Sequence, residues 1–431
     1  MTGSEHLDVI LGKDRIAKIS LKNDQLFWHY DEQWKQSGYA VSPHLPLLDD
    51  IPPQNVQKYL RNLLPEGNAF DELITAFHLR KNNTFGLVRA LGLDMPGSLC
   101  ILPSGKNIPK RGLFRIIPDK ELKERLDDRD EYGLIIWDGK PRLSVAGVQD
   151  KINVMLNNKG QLGFGEGALC STHILKFEKK KLPHLAFNEY ISMQLAKLCG
   201  ISVANVQLKY FDNYSTLLVE RFDRHLVSPT IVKRRHIIDG CQALNLSPEY
   251  KYERNFGSGR DVKHIREGAS LEKLFSFTNQ CTNPVLTKQK ILDWILFNTL
   301  IFNYDAHAKN ISFFVGAKGI SLAPFYDLVN IKMYEDFENE MAMAIGDTFD
   351  AESIHTYQLA DFADNCGLSR SLVSKRFKNL ILKLKSALHD PKALVINHRD
   401  EEKYFKKYQK LINERCDYML KQTKKIGSIE L

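Results

Sequence analysis

Cysteine is sparse and unpatterned in this chain. The sequence of 431 residues contains seven cysteines, an odd number, and no two of them form a Cys-x-x-Cys pair. Disulfide-stabilised secreted domains and zinc-cluster domains need paired or closely spaced cysteines, so the sequence argues against both. A reducing compartment is the better expectation.

Long apolar runs are also missing. The N-terminus, MTGSEHLDVILGKD, has no apolar segment of the length found in secretory leaders, and the most apolar stretch, residues 291–302, is interrupted by Asp293 and Asn298. Neither secretion nor a membrane span is expected. We therefore predict a cytoplasmic protein that has no membrane partner.

Composition and charge set the broad class. Hydrophobic residues make up 43% of the chain and aromatic residues 10%, which predicts a globular protein, and 431 residues suit two or three packed units. The net charge of +8 is concentrated in lysine-rich segments near the C-terminus. This charge could contact nucleic acid, with Lys375, Arg376 and Lys378 as the candidates, or it could simply cover solvated helix faces.

Periodicity indicates an α+β fold with the strands first. Alternating apolar residues between Leu7 and Val41 predict a small sheet, and short helices follow up to Leu91. The charged segment 119–132 reads as a solvated helix or a linker. We predict a β-rich N-terminal domain at 1–135, a unit of strands and one helix at 136–224, and a mainly helical region at 225–431.

Residues 292–313, LDWILFNTLIFNYDAHAKNISF, carry the most suggestive pattern. Apolar residues at helical spacing predict a buried helix, and a polar loop follows it. Asp305 and Asn310 in that loop have the Asp-x-x-x-x-Asn spacing of the protein-kinase catalytic loop, in which the Asp orients the attacking hydroxyl and the Asn holds magnesium. The spacing alone fits equally a polar loop that caps a core helix.

Other kinase-like features occur in the expected order. The small-residue turn at 144–151 could let backbone N–H groups approach phosphate, and Lys176 lies in a predicted strand where a kinase carries its phosphate-binding lysine. Glu189, in the next predicted helix, could pair with that lysine. Asp327 could be the second metal-binding acid, although an ordinary turn would also suit it.

Two further segments complete the succession. Residues 220–224, ERFDR, pass abruptly from apolar to charged residues, as a segment connecting two lobes does. The glycines at 163, 165 and 167 suggest a dinucleotide motif, but a strand rather than a helix is predicted after them, so we reject that interpretation. Taken together, the succession predicts a two-lobed protein-kinase-like fold.

The chain closely resembles the HipA-type serine/threonine kinases, which are toxins of bacterial toxin–antitoxin pairs. The resemblance covers nearly the whole chain and rests on these motifs: NLLPEG at 62–67, SVAGVQDK at 144–151, HILKF at 173–177, NEY at 188–190, VERFDR at 219–224, CQAL at 241–244, KYE at 251–253, NYDAHAKN at 303–310, LAPFYDL at 322–328 and MAMAIG at 341–346.

The resemblance implies roles for individual residues. Asp305 would be the catalytic aspartate, Asn310 and Asp327 the Mg²⁺ ligands, and Ser144 the autophosphorylated serine whose modification ejects the phosphate loop and switches the kinase off. The implied ATP-binding residues are Ala146, Gly147, Val148, Gln149, Asp150, Lys151, Lys176, Glu220, Arg221, Phe222, His307, Ala308, Lys309, Asn310, Tyr326 and Asp327.

The resemblance also implies partners. Family members phosphorylate a protein on serine, the best-known target being glutamyl-tRNA synthetase, and a HipB-like helix-turn-helix antitoxin that binds operator DNA restrains them. Two alternatives stay open from the sequence. One is a nucleotide-binding corepressor that works with the antitoxin without catalysis, and the other is a small-molecule phosphotransferase.

Overall fold

A computed structural model of the chain describes residues 6–129, 133–143, 149–179, 181–335, 337, 339–390 and 394–429. Its strands are β1 (His6–Leu11), β2 (Asp14–Lys22), β3 (Gln25–Tyr30), β4 (Leu99–Pro103), β5 (Gly112–Ile116), β6 (Ile136–Trp137), β7 (Lys140–Pro141), β8 (Lys151–Leu156), β9 (Leu162–Gly167), β10 (His173–Phe177), β11 (Val206–Phe211), β12 (Tyr214–Glu220), β13 (Arg224–Ser228), β14 (Ile231–Arg234), β15 (Ile237–Asp239), β16 (Ser312–Gly316), β17 (Gly319–Leu322), β18 (Glu340–Ile345) and β19 (Thr348–Asp350).

Helices follow the same chain order. They are α1 (Glu32–Ser37), α2 (Pro53–Arg61), α3 (Asn68–Ala76), α4 (Thr84–Leu91), α5 (Asp119–Asp127), α6 (Leu185–Leu198), α7 (Gly240–Ala243), α8 (Leu271–Phe277), α9 (Pro284–Leu300), α10 (Thr356–Asn365), α11 (Arg370–Leu388) and α12 (Arg399–Thr423). The predicted α+β class, with a β-rich N-terminal region and a helical C-terminal region, is confirmed.

The chain divides into two compact units, each built from several segments. The strand-rich unit comprises Met1–Lys179, Lys209–Pro248 and Phe313–Ala323, and the helical unit comprises Lys180–Leu208, Glu249–Ser312 and Pro324–Leu431. Because these units are interleaved along the sequence, the three domains at 1–135, 136–224 and 225–431 remain a prediction.

The first sheet of the strand-rich unit has the order β3-β2-β1-β4, with antiparallel neighbours. Apolar side chains of these strands face a buried side that helix α2 covers, and the ring of Trp28 meets that of Tyr59 edge-on at 5.9 Å. Pro53 occupies the first turn of α2, where its missing N–H costs no helical hydrogen bond. The predicted opening sheet and the helix after it are confirmed.

The second sheet of this unit has the order β11-β12-β10-β8-β9-β5. Its buried core includes Ile152, Phe164, Leu175 and Phe177. The three glycines at 163, 165 and 167 lie in β9, which pairs with β5 and β8 and is followed by another strand. The rejection of the dinucleotide motif is therefore confirmed.

A buried ion cluster lies beside these strands, and we call it the arginine cluster. Its centre is Asp223, which accepts hydrogen bonds from Arg221 Nε at 3.0 Å and Arg224 Nη1 at 2.6 Å. Burial opposes ionisation of Asp223, but the two guanidinium groups outweigh it and lower the pKa of the carboxyl to about 2. Gly97 donates its N–H to the same carboxylate at 2.9 Å, so this polar centre is satisfied.

Helices dominate the second unit. Within the region predicted to be mainly helical, α10 and α11 are separate helices, because Gly367 adopts a φ of +62° after α10 and the side chain of Ser369 caps α11 by accepting from Leu372 N–H. The structure also adds the hairpin β18–β19 where helical patterning was expected. No helix of the described ranges is long and apolar enough to span a bilayer.

Candidate active site

Helix α9 carries the chain into the loop that contains Asp305. The side chain of Asn283 caps the helix, and Pro284 begins it. Its central residues, Ile291 to Leu300, are buried nearly all round, and Phe302 then turns the chain with a φ of +54°. A buried helix with a sharp exit holds the following polar residues at a fixed position.

The Asp305–Asn310 loop closes on itself. The main-chain carbonyl of Asp305 accepts hydrogen bonds from Asn310 Nδ2 at 2.7 Å and from His307 N–H at 2.8 Å. The side chain of Asp305 is 47% exposed, whereas that of His307 is 5% exposed. The loop thus buries its framework and presents one carboxylate to solvent.

Tyr252 contacts that carboxylate directly. Its hydroxyl donates to Asp305 Oδ1 at 2.5 Å, and its ring meets the His307 ring edge-on at 5.1 Å. His307 Nε2 lies 4.0 Å from the same oxygen. Sequence reasoning assigned Tyr252 no role, and its only signal was its place in the KYE motif, far from the loop in sequence.

Asn303 connects the loop to Asp327. Its Oδ1 accepts from Asp305 N–H at 3.3 Å, while its Nδ2 donates to Asp327 O at 3.2 Å and to Asn298 Oδ1 at 2.9 Å. Asp327 has a φ of +61°, a left-handed conformation that side chains rarely adopt. One amide side chain therefore brings together the two acids that the sequence picked out separately.

Tyr326 fixes the other end of the loop. Its hydroxyl donates to the carbonyl oxygen of Lys309 at 2.7 Å and lies 2.8 Å from Ser312 Oγ. Lys309 is 5% exposed and Ala308 is fully buried. Hydrogen bonds thus connect the predicted nucleotide-binding residues of this unit. They are His307 to Asn310, Tyr326 and Asp327.

The residues predicted for magnesium have suitable chemistry. Because Asn310 Nδ2 is bonded to Asp305 O, the amide presents its oxygen, Oδ1, on the other side. An amide oxygen and the Asp327 carboxylate are the hard oxygen ligands that Mg²⁺ takes, usually together with substrate phosphates. Across the residues that the structure describes, there is no group of three or more His, Cys, Asp or Glu side chains suited to a metal.

Two lysines face each other in the strand-rich unit. Lys176 on β10 is directly opposite Lys151 on β8, and these residues are 5% and 6% exposed. Side chains directly opposite on antiparallel strands lie on the same face of a sheet, so the two ammonium groups lie on one face. This places two positive charges where the sequence predicted one phosphate-binding lysine.

The structure describes only the end of the predicted phosphate loop. Ser144, Val145, Ala146, Gly147 and Val148 lie outside the described residues. Gln149 Nε2 donates to Phe177 O at 3.2 Å, and Phe177 N–H donates to Asp150 O at 2.9 Å. These bonds fasten the end of the loop to strand β10, next to Lys176.

The residues of the predicted connecting segment differ in their exposure and contacts. Glu220 is exposed, and the ring of Phe222 meets that of Phe314 edge-on at 5.8 Å. The guanidinium of Arg221 is engaged in the arginine cluster and donates to Ser171 Oγ at 2.8 Å. The side chain predicted to bind ATP at position 221 is therefore committed to the protein core.

Glu189 and the basic C-terminal residues complete the predicted set. Glu189 is fully buried on α6, and its pairing with Lys176 stays a prediction. Lys375 and Lys378 are exposed on α11. Arg376, between them, donates from Nε to Asp293 Oδ1 at 2.7 Å in a two-bond ion pair, so its charge is already compensated.

Comparison with known families gives two matches along the chain. Residues 143–388 match the model of the HipA-like C-terminal domain, and residues 7–102 match that of the HipA N-terminal domain. The first match alone spans more than half of the chain, and it contains every residue that we predicted for catalysis or ATP binding.

A full-length relative and a solved structure agree with this. The serine/threonine-protein kinase toxin HipA of Shewanella oneidensis is 44% identical over 429 residues, which cover 99% of this chain and 98% of that protein. The structure of Shewanella oneidensis HipA with HipB and its operator DNA superimposes with a TM-score of 0.92, covering 99% of this chain and 100% of that one.

Proposed function

The chain belongs to the HipA family and is a serine/threonine-protein kinase, and on this premise we propose that it is a toxin that uses ATP and Mg²⁺ to phosphorylate a protein of the translation machinery. The observation that carries this proposal is the geometry around Asp305. A solvent-accessible carboxylate projects from a loop whose main chain is bonded to Asn310 and, through Asn303, to Asp327.

Each of these residues has a distinct task in the proposed reaction. Asp305 would accept a hydrogen bond, and finally the proton, from the attacking hydroxyl group. Asn310 Oδ1 and the Asp327 carboxylate would hold Mg²⁺, which would supply positive charge beside the phosphates of ATP. The opposed pair Lys151 and Lys176 would bind the phosphates as point charges.

Regulation is proposed through Ser144. Phosphorylation would add about two negative charges to the phosphate loop at neutral pH, and a second dianion is repelled by the phosphates of bound ATP. The modified loop would then leave the nucleotide site, which stops the enzyme.

Partners follow from the family. We propose a HipB-like antitoxin and, through it, operator DNA, because the similar Shewanella oneidensis structure is a complex of HipA with HipB and operator DNA. Glutamyl-tRNA synthetase is the proposed substrate, on the resemblance to family members. A corepressor without catalysis is the second candidate, and the exposed Lys375 and Lys378 favour it.

One labelling experiment tests the proposal. The purified chain is incubated with γ-labelled ATP and a cell extract, with Mg²⁺ or with excess EDTA, beside Asp305→Asn. We expect label at Ser144 and on one extract protein, with at least a roughly 1000-fold slower rate in Asp305→Asn and with EDTA. ATP affinity of the variant should stay within a few fold.

Each failure has a separate meaning. ATP binding without any label in the wild type would exclude the kinase and favour the corepressor. Label on a small molecule only would indicate the phosphotransferase alternative. Label on a protein other than glutamyl-tRNA synthetase would reject that substrate and leave the kinase intact.

A further inference from the structure

We propose that Tyr252 is a positioning residue, which holds the carboxylate of the catalytic Asp305 in the orientation that receives the acceptor hydroxyl. This inference rests on the proposed kinase function. Its starting point is the 2.5 Å hydrogen bond from Tyr252 Oη to Asp305 Oδ1, which joins residues 53 positions apart in the sequence.

The carboxylate needs such a constraint. The main chain of Asp305 is fixed by Asn310, His307 and Asn303, whereas its side chain is 47% exposed, so the orientation of the carboxylate depends on the hydrogen bonds that it accepts. A charge-assisted bond to one carboxylate oxygen restricts rotation of the group. Oδ1 accepts this bond from Tyr252, which sets the orientation that the carboxylate offers to the acceptor hydroxyl.

Tyr252 is itself held from both sides. The carbonyl of Lys251, the preceding residue, accepts from Ala308 N–H at 3.1 Å, inside the catalytic loop. On the other side, Glu253 N–H donates to Ala342 O at 2.9 Å, and Ala344 N–H donates to Glu253 Oε2 at 2.8 Å. The residues on either side of Tyr252 are therefore fixed, one to the Asp305–Asn310 loop and the other to strand β18.

Close packing against residues 251–253 limits the movement of this segment. Gly268 N–H donates to Glu253 O at 3.2 Å, and a Cβ added at Gly268 would lie 1.8 Å from Tyr252 O. The edge-on contact of the Tyr252 ring with His307, at 5.1 Å, fixes the ring from the other direction. A phenol held in this way keeps its hydroxyl at one place, as a positioning group must.

The alternative is that Tyr252 only supports the fold. A purely structural tyrosine would affect stability and nucleotide affinity, whereas a positioning residue affects turnover and acts only through Asp305. The split between kcat and KM and the dependence on an intact Asp305 separate these two roles.

The test compares Tyr252→Phe with Tyr408→Phe in the full-length chain. Phenylalanine keeps the ring on His307 and removes only the hydroxyl. Tyr408 is a matched control, because its buried hydroxyl lies 2.9 Å from Ser192 Oγ in the same unit, and we assign Ser192 no role in the reaction. Transfer of γ-labelled phosphate to the acceptor that the wild type labels, or to Ser144, is measured over a range of ATP concentrations.

We expect Tyr252→Phe to lower kcat about 10- to 100-fold, as loss of a hydrogen bond to a charged group does, with KM for ATP within about twofold. Tyr408→Phe should keep kcat within about twofold. In an Asp305→Asn background, Tyr252→Phe should change the residual rate by less than about twofold, because the group that it positions is gone.

Three outcomes would overturn the inference. They are a wild-type kcat in Tyr252→Phe, a fall in kcat matched by an equal loss of ATP affinity, or an undiminished effect in the Asp305→Asn background. If the wild-type chain itself transfers no phosphate, the proposed function fails instead, so the two failures are distinguishable.

Discussion

Two aspartates in this molecule accept hydrogen bonds in very different surroundings. Asp223, in the strand-rich unit, has a side chain that is 4% exposed and binds two guanidinium groups. Asp305, in the helical unit, has a side chain that is 47% exposed and accepts a hydrogen bond from a neutral tyrosine hydroxyl. The first carboxylate is enclosed by guanidinium groups, whereas the second is partly open to solvent.

A carboxylate that stabilises a fold and a carboxylate that reacts with a substrate need different surroundings. A buried charge is stable only when partners replace its lost hydration, and those partners leave it no capacity for a substrate. A catalytic base needs a fixed position and an accessible lone pair together. In the proposed reaction Asp305 would combine the two, because main-chain bonds and Tyr252 position it while its side chain stays 47% exposed.

The largest expected effect concerns the compensated aspartate. Asp223→Asn removes the carboxylate that is bonded to the buried Arg221 and Arg224 and leaves them the more distant Asp94, at 3.7 and 3.5 Å. We therefore expect unfolding of the strand-rich unit to become easier by about 3–5 kcal/mol. Asp305→Asn, the control, should change stability by less than about 1 kcal/mol. Denaturant unfolding followed by circular dichroism measures both variants. Equal losses in the two would remove the distinction between these aspartates.

A pH titration sharpens the comparison at a buried histidine. Burial lowers the pKa of His236 from 6.5 to about 4, against the opposing effects of its bond to Val41 O and of Asp223. As the pH falls through 6.5, His236 becomes protonated in the unfolded chain but stays neutral in the folded one. Stability should therefore fall between pH 6.5 and 4, by at most about 3 kcal/mol.

The variant His236→Gln should flatten this part of the stability curve, because glutamine does not titrate and can still donate to Val41 O. The exposed His29→Gln is the control and should leave the slope as it is in the wild type. A slope that persists in His236→Gln would assign the acid sensitivity to other groups.

The smallest effect concerns exposed charge on α11. Lys375→Glu with Lys378→Glu should weaken operator binding by the antitoxin complex several-fold and reduce the salt slope by about 1 to 2, if these lysines meet phosphates. Arg376 is left unchanged, because its ion pair with Asp293 stabilises the fold. If operator binding and its salt dependence equal those of the wild type, the two lysines do not contact DNA and only cover a solvated helix face.

Much of this architecture was predictable from local pattern. The apolar periodicity before Asp305 predicted helix α9, and the early short helices end at Leu91, the last residue of α4, as expected from the sequence. The family motifs marked Asp305, Asn310, Lys176 and Asp327, although their roles in the reaction stay predictions. These predictions succeed because periodicity and short motifs are local properties of a sequence.

Other features required the folded chain. The opposition of Lys151 and Lys176 depends on the register of β8 with β10, and the commitment of Arg376 to Asp293 depends on how α11 packs against α9. Both predicted contact residues at positions 221 and 376 turned out to have buried or paired guanidinium groups. A charged residue in a sequence does not show which charge will compensate it.

The sequence by itself determined the family, the α+β class and the order of the motifs, because each depends on residues that are close together in the sequence. Only the tertiary structure decided that Asp305 accepts a hydrogen bond from Tyr252, since that hydroxyl comes from 53 residues earlier in the chain. Hydrogen bonds of that kind depend on distances of a few tenths of an ångström, which the packing of the whole unit sets.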